Sequence, residues 1–128
     1  MADSVANVAV VMQTHSIRKI VIMSSLGVGD SYGNTIFLMK WLIKWTNMSA
    51  AFTDHDMLDA EIKKTDLDWV LVRPNMLKEG GKAEVTVFGE QGQGVPAFGG
   101  ITRASVAGFL VDAVEKSTWD RKTPCIAN

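Results

Sequence analysis

The sequence predicts an α/β domain built on a mostly parallel sheet, and three observations carry that reading. Two continuous apolar runs of strand length, Ile20-Val21-Ile22-Met23 and Trp69-Val70-Leu71-Val72, lack the alternation of a half-solvated strand. They suit central strands covered on both faces. Stretches with helical spacing of apolar residues separate and follow these runs, which is the alternation expected of α/β architecture.

Ser4 is placed to cap a first helix whose apolar positions are Val5, Val8, Ala9, Val11 and Met12. Arg18 and Lys19 lead into the first strand, which ends in the small-residue loop Ser24-Ser25-Leu26-Gly27-Val28-Gly29-Asp30-Ser31-Tyr32-Gly33. Asn34 or Thr35 opens a helix to about Trp45. Thr53 or Asp54 caps another, to about Lys64, with Met57, Leu58, Glu61 and Ile62 on successive turns. Asp68 to Arg73 is the second strand, closed by Pro74, which cannot donate a ladder hydrogen bond. Glu84 to Phe88 alternates and predicts a more exposed strand. Thr102 caps a last helix with Val106, Phe109, Leu110, Ala113 and Val114 as its stripe, and Pro124 to Ala127 is a final short strand.

Bulk composition narrows the function classes. The chain has 128 residues, enough for one domain, 1–128, with a core that needs no disulfide. Thirteen Lys and Arg against 14 Asp and Glu give a net charge of −1, which argues against a nucleic-acid surface. Cys125 is the single cysteine and His15 and His55 are the two histidines, so no metal site is expected. The N-terminal stretch lacks the basic region and cleavage site of a signal peptide. The most apolar window, Thr35 to Trp45, contains Lys40 and Lys44 and is too short to span a bilayer. A cytoplasmic protein without membrane or nucleic-acid partners is therefore expected.

Two glycine loops invite a phosphate-binding reading. Gly27 to Gly33 follows a strand and precedes a predicted helix, the context in which backbone amides face a pyrophosphate. Its spacing is G-x-G-x-x-x-G, one residue longer than the dinucleotide fingerprint, and bulky Phe37, Trp41 and Trp45 follow where a helix should pack tightly. The other reading is a plain loop at a strand end. Gly89-Glu90-Gln91-Gly92-Gln93-Gly94 runs into Val95-Pro96 rather than a helix, which favours a turn or hairpin.

Three segments in order resemble the atypical short-chain dehydrogenase/reductase family, the NmrA-like and flavin (biliverdin) reductase-like NAD(P)-binding proteins. Ile17 to Ser25 resembles the family's fifth strand with its Ser-Ser ending, Leu67 to Pro74 its sixth with Arg-Pro, and Ile101 to Ala107 the start of its late helix. The resemblance covers the C-terminal half of such a protein. It implies a Rossmann-like parallel sheet flanked by helices, without the N-terminal half that binds the dinucleotide phosphates. It also implies NADP, or NAD, as cofactor, with binding by this chain alone left open, and a small-molecule substrate. By the same resemblance Ser25, with Ser24 beside it, is the catalytic candidate next to the nicotinamide. A serine hydroxyl there could polarise a carbonyl. The alternative is that paired serines at a strand end satisfy loop backbone groups. Ser25, Pro74, Asn75, Met76 and Leu77 become the cofactor wall, and Arg73 a structural anchor. His55 falls where some relatives carry an Asp-His pair and is a proton-donor candidate; as a residue among acidic caps it is also an ordinary solvated helix start.

The chain departs from the family in three places. The Tyr-x-x-x-Lys dyad is absent, since the only tyrosine is Tyr32 and Ile36 stands four residues later. Ser105 replaces the usual Asp of the late helix, and strands one to four have no counterpart. A fragment or a natural short form would both leave an open sheet edge, so partner association, self-association as a homo-oligomer through that edge, or rearranged strands are expected, with Ile36, Phe37, Leu38, Trp41 and Trp45 as interface or core residues. Two functions stay in play: an NAD(P)H-dependent reductase acting on a small conjugated or flavin-like acceptor, and a non-catalytic NmrA-like regulatory or interaction module.

Overall fold

The computed structural model of the chain describes residues 2–34, 48–97 and 99–128. The helix expected over Thr35 to Trp45, with its tryptophans, lies outside the described residues. Three α-helices are described, α1 (Ala2–Thr14), α2 (Met48–Ile62) and α3 (Arg103–Glu115), with strands β1 (Lys19–Met23), β2 (Asp68–Pro74), β3 (Leu77–Lys78), β4 (Thr86–Val87), β5 (Ile101–Thr102) and β6 (Cys125–Ala127).

The main sheet has the order β1-β2-β6-β4. β1 runs parallel to β2 from Lys19↔Asp68 to Met23↔Val72, and β2 is parallel to β6 through Arg73↔Cys125 and Pro74↔Ile126. β4 closes the far edge antiparallel to β6. Successive side chains of β2 point to opposite faces. Trp69 and Leu71 therefore join Ala9, Met12, Leu58, Ile62 and Leu67 under α1 and α2. Val70 and Val72 join Val106, Ala113 and Ile126 under α3. The result is helices on both faces of a largely parallel sheet, the Rossmann-like architecture expected from the sequence.

Several boundaries differ from the expected ones. α1 begins at Ala2, so Ser4 lies inside the helix rather than capping it. Its buried stripe is narrower than predicted, because Val8 and Val11 are exposed while Ala9 and Met12 pack inward. α2 begins at Met48, not at Thr53 or Asp54; Met and Ala are strong helix formers and carry the helix back past the capping residues. The strand expected over Glu84 to Phe88 contracts to Thr86–Val87, and Val114 of the α3 stripe faces solvent. The α3 cap holds: the Thr102 hydroxyl accepts from the Ser105 amide at 3.2 Å. Ser105, buried, accepts from the Ala83 amide at 2.9 Å and from Asn128 Nδ2 at 2.7 Å. That is why a serine serves where the resemblance led one to expect an aspartate. Among the described residues no helix is long and apolar enough to cross a membrane.

Candidate functional site

Parallel pairing puts the carboxyl ends of β1, β2 and β6 along one edge of the sheet, where open α/β sheets bind their ligands. Ser24 and Ser25 leave β1 there. The Ser24 amide donates to the Val72 carbonyl at 2.7 Å and the Leu26 amide to the Pro74 carbonyl at 3.1 Å, so the serine loop lies flush against the end of β2. Proline has no N–H, and the alternating ladder that would next offer the Ser24 carbonyl a donor stops at Pro74. Ser24 is buried, and its hydroxyl has no hydrogen-bond partner among the described residues. The half-buried Ser25 donates its hydroxyl to the Leu26 carbonyl at 3.2 Å.

The segment after β2 is held from the other side. The Asn75 amide donates to the Ile126 carbonyl at 2.9 Å. Its side chain donates to the Pro96 carbonyl at 3.1 Å and accepts from the Met76 amide at 2.8 Å. Leu77 then enters β3, paired parallel to β5 through Leu77↔Ile101. Ser24, Ser25, Pro74 and Asn75 are thus brought to adjacent strand ends, while Met76 is exposed and Leu77 half-buried beyond them. His55 is not at a helix start. It sits within α2, half-buried, with Nδ1 buried and without a partner among the described residues. It adjoins Asp56, which accepts a hydrogen bond from the loop after β1, so the two regions approach each other through that neighbour.

The Gly27 to Gly33 loop does not offer a phosphate cradle. The Gly27 amide donates to Ser31 Oγ at 2.9 Å, the Gly29 amide to Asp56 Oδ1 at 2.7 Å, and the Val28 amide to the Ser25 carbonyl at 3.3 Å. These three amides at the front of the loop are satisfied within the protein, one of them by a carboxylate, and do not face a pyrophosphate. The local charge is also wrong. Asp30, Asp56 and Asp59 outnumber the cations here, Arg73 and Lys63, which pair with Asp59 at 3.0 and 2.8 Å. The front of the Gly27 to Gly33 loop therefore does not fit the phosphates of a dinucleotide.

Arg73 is the anchor on which this edge rests. It is fully buried, with Nη2 on Asp59 and Nη1 on the Glu90 carbonyl at 3.1 Å. A Cβ on Gly29, whose φ is +54°, would come within 2.7 Å of Arg73 Nη2, so only glycine lets the loop close over the guanidinium. The second glycine loop is a turn, as its lack of a following helix implied, and Gly92 packs against Leu26 and Cys125. Burial pushes the Cys125 thiol up to about 11, against the lowering influence of Arg73. Sequence reasoning missed Asp56 and Asp59 as the latch on this loop. Their spacing with Lys63 along one face of α2 was the signal that could have found them.

A family model described as NAD(P)H-binding matches residues 1–117. No curated protein matches the chain. Among solved structures, the fold is similar to ChuY from Escherichia coli CFT073, with a TM-score of 0.75 at 19% identity over 94% of this chain and 61% of that one. It is similar to ChuY of E. coli O157:H7, described as an anaerobillin reductase, with a TM-score of 0.72 at 18% identity over 90% and 52% of the two chains. A short-chain dehydrogenase/reductase from Veillonella parvula, solved in complex with NADP, gives a TM-score of 0.82 at 17% identity over 99% and 58%. At these identities the likeness is one of fold, and the chain spans 52 to 61% of the length of these three proteins.

Proposed function

This chain belongs to the NAD(P)H-binding family, and we propose that it forms the nicotinamide-side half of a reductase site for a small conjugated or flavin-like acceptor. The observation that carries the proposal is the Ser24 hydroxyl, buried and without a partner among the described residues, at the end of β1 beside the Pro74–Asn75 corner of β2. A buried hydroxyl left without a partner costs about 1–3 kcal/mol, and such a cost is tolerated most readily where a ligand relieves it. When bound, NADPH, or NADH, would supply the hydride, and the acceptor would take up that hydride and one proton to leave NAD(P)+. Ser24 and Ser25 offer hydroxyls to the carboxamide or to an acceptor carbonyl, Pro74 to Leu77 form the wall along the ring, and His55 is the proton-donor candidate. The phosphates are held by groups outside the Gly27 to Gly33 loop, from a further segment or a second copy.

NADPH oxidation with a flavin or quinone acceptor tests this reading. Ser25→Ala should lower the rate roughly tenfold or more, in line with loss of one positioned donor. An unchanged rate removes Ser25 from the reaction. The second reading, a non-catalytic module, draws on the closed glycine loop and the missing Tyr-x-x-x-Lys dyad. It gains if NADPH binds without turnover of any acceptor.

A further inference from the structure

Three ties close a triangle at the carboxyl end of the sheet, and α2 supplies one corner of it. The first joins the serine loop to β2, through the Ser24 amide on the Val72 carbonyl and the Leu26 amide on the Pro74 carbonyl. The second joins β2 to α2: Arg73, between those two carbonyls in sequence, donates from Nη2 to Asp59 Oδ1. The third joins α2 back to the loop, where Asp56 Oδ1 accepts from the Gly29 amide at 2.7 Å. We infer that Asp56 and Asp59 are positioning residues, which hold the Ser24 and Ser25 hydroxyls in register with α2 and so with His55. The inference rests on the reductase reading proposed above.

Energetics separate positioning from simple support. Arg73 has no exposed surface and Asp59 is buried, so both charges lose their hydration. A buried ion pair gains little stability over apolar residues of the same volume, because desolvation offsets the attraction. What it does fix is geometry, since a guanidinium is satisfied only where acceptors meet its rigid planar fork. The loop has no slack over the pair: a Cβ on Gly29 would lie 2.7 Å from Arg73 Nη2 and 3.0 Å from Asp59 Oδ2. Lys63 adds a further tie, pairing with Asp59 Oδ2 at 2.8 Å and reaching Asp30 Oδ2 in the loop at 3.6 Å.

Chemistry gives the triangle its purpose. A reduction of the proposed kind needs two groups at one acceptor, a hydroxyl that polarises the carbonyl and a donor for the proton. The hydroxyls leave β1, whereas the donor candidate His55 sits on α2, next to Asp56 and four residues before Asp59. The Asp56 and Asp59 ties are what register these two elements on each other. A misplacement of about 1 Å can cost roughly a hundredfold in rate.

Two variants loosen the triangle without leaving a buried charge unpaired. Asp56→Ala removes an exposed carboxylate and its bond to Gly29. The double variant Asp59→Leu with Arg73→Met replaces the ion pair by apolar side chains. In steady-state oxidation of NADPH by a quinone, each should lower kcat roughly tenfold and leave KM for the quinone unchanged. Asp56→Asn, whose side-chain oxygen still accepts from Gly29, should restore the native kcat. The amide resonances of Ser24 and Ser25 should also shift in Asp56→Ala before any cofactor is added. If the double variant does not fold, Asp56→Ala decides alone. A folded Asp56→Ala with native kcat makes the latch a structural support, which overturns the inference and spares the reductase reading. A native chain that oxidises no NADPH defeats the reductase reading, and the positioning role falls with it.

Discussion

Ser24 separates a structural from a ligand-facing role more cleanly than any other residue. A purely structural serine would have a partner to lose, whereas this buried hydroxyl has none among the described residues. Ser24→Ala should therefore leave the stability of the free chain unchanged or raise it by about 1 kcal/mol, in a denaturant melt, while weakening NADPH binding. A loss of stability with unchanged binding would return the residue to a structural role. The Ser-Ser ending was legible because the resemblance marks it. The Arg73–Asp59 pair beneath it was only half legible: an arginine before proline suggests an anchor, but its partner fourteen residues upstream is fixed by how α2 lies across the sheet. Cys125 titrates in the opposite sense to a salt-bridged carboxylate. Its thiol moves from 9.0 to about 11 on folding because burial disfavours the thiolate. Its contribution is complete below pH 9 and fades as pH rises toward 11, where the unfolded chain ionises first. Thermal melts from pH 8 upward should fall more steeply for the native chain than for Cys125→Ala.

At the scale of elements, the ends of helices hold most of what local sequence can and cannot say. α1 stops in a Schellman arrangement, with Ser16 at φ +57°, its amide on the Gln13 carbonyl at 3.2 Å and the Ile17 amide on the Met12 carbonyl at 2.8 Å. Glycine is the usual residue at that position, so Ser16→Gly should stabilise the chain by about 1 kcal/mol in a urea melt. A destabilised variant would mean that the serine side chain, and not the backbone turn, closes the helix. The α3 start was readable because Thr102 caps it through a local bond three residues on. The start of α2 was not, because Thr53 and Asp54 are good caps in isolation and the helix runs through them. β3 and β5 left no periodic trace either. Two-residue strands are too short for alternation, and they exist because the chain after Pro74 lies beside Ile101.

At the scale of the whole molecule, the sheet is three-layered and covered, yet β1 has a strand neighbour on one side only among the described residues. The fold class was legible from two apolar runs, since uninterrupted β-branched strands need helices on both faces. The closing of Gly27 to Gly33 by Asp56 was not legible, because it depends on a contact 27 residues away in sequence. We propose that the free edge of β1 pairs with a further strand, from another segment or a second copy, and that this is where the phosphate-binding half joins. We propose that this chain supplies the nicotinamide side of the site. The most direct test is NADPH titration of the purified chain, followed residue by residue through its amide resonances. Saturable shifts at Ser24, Ser25, Asn75 and Met76, with Gly27, Gly29 and Gly33 unmoved, are predicted. Shifts concentrated in the Gly27 to Gly33 loop, or no shifts at millimolar NADPH, would contradict it.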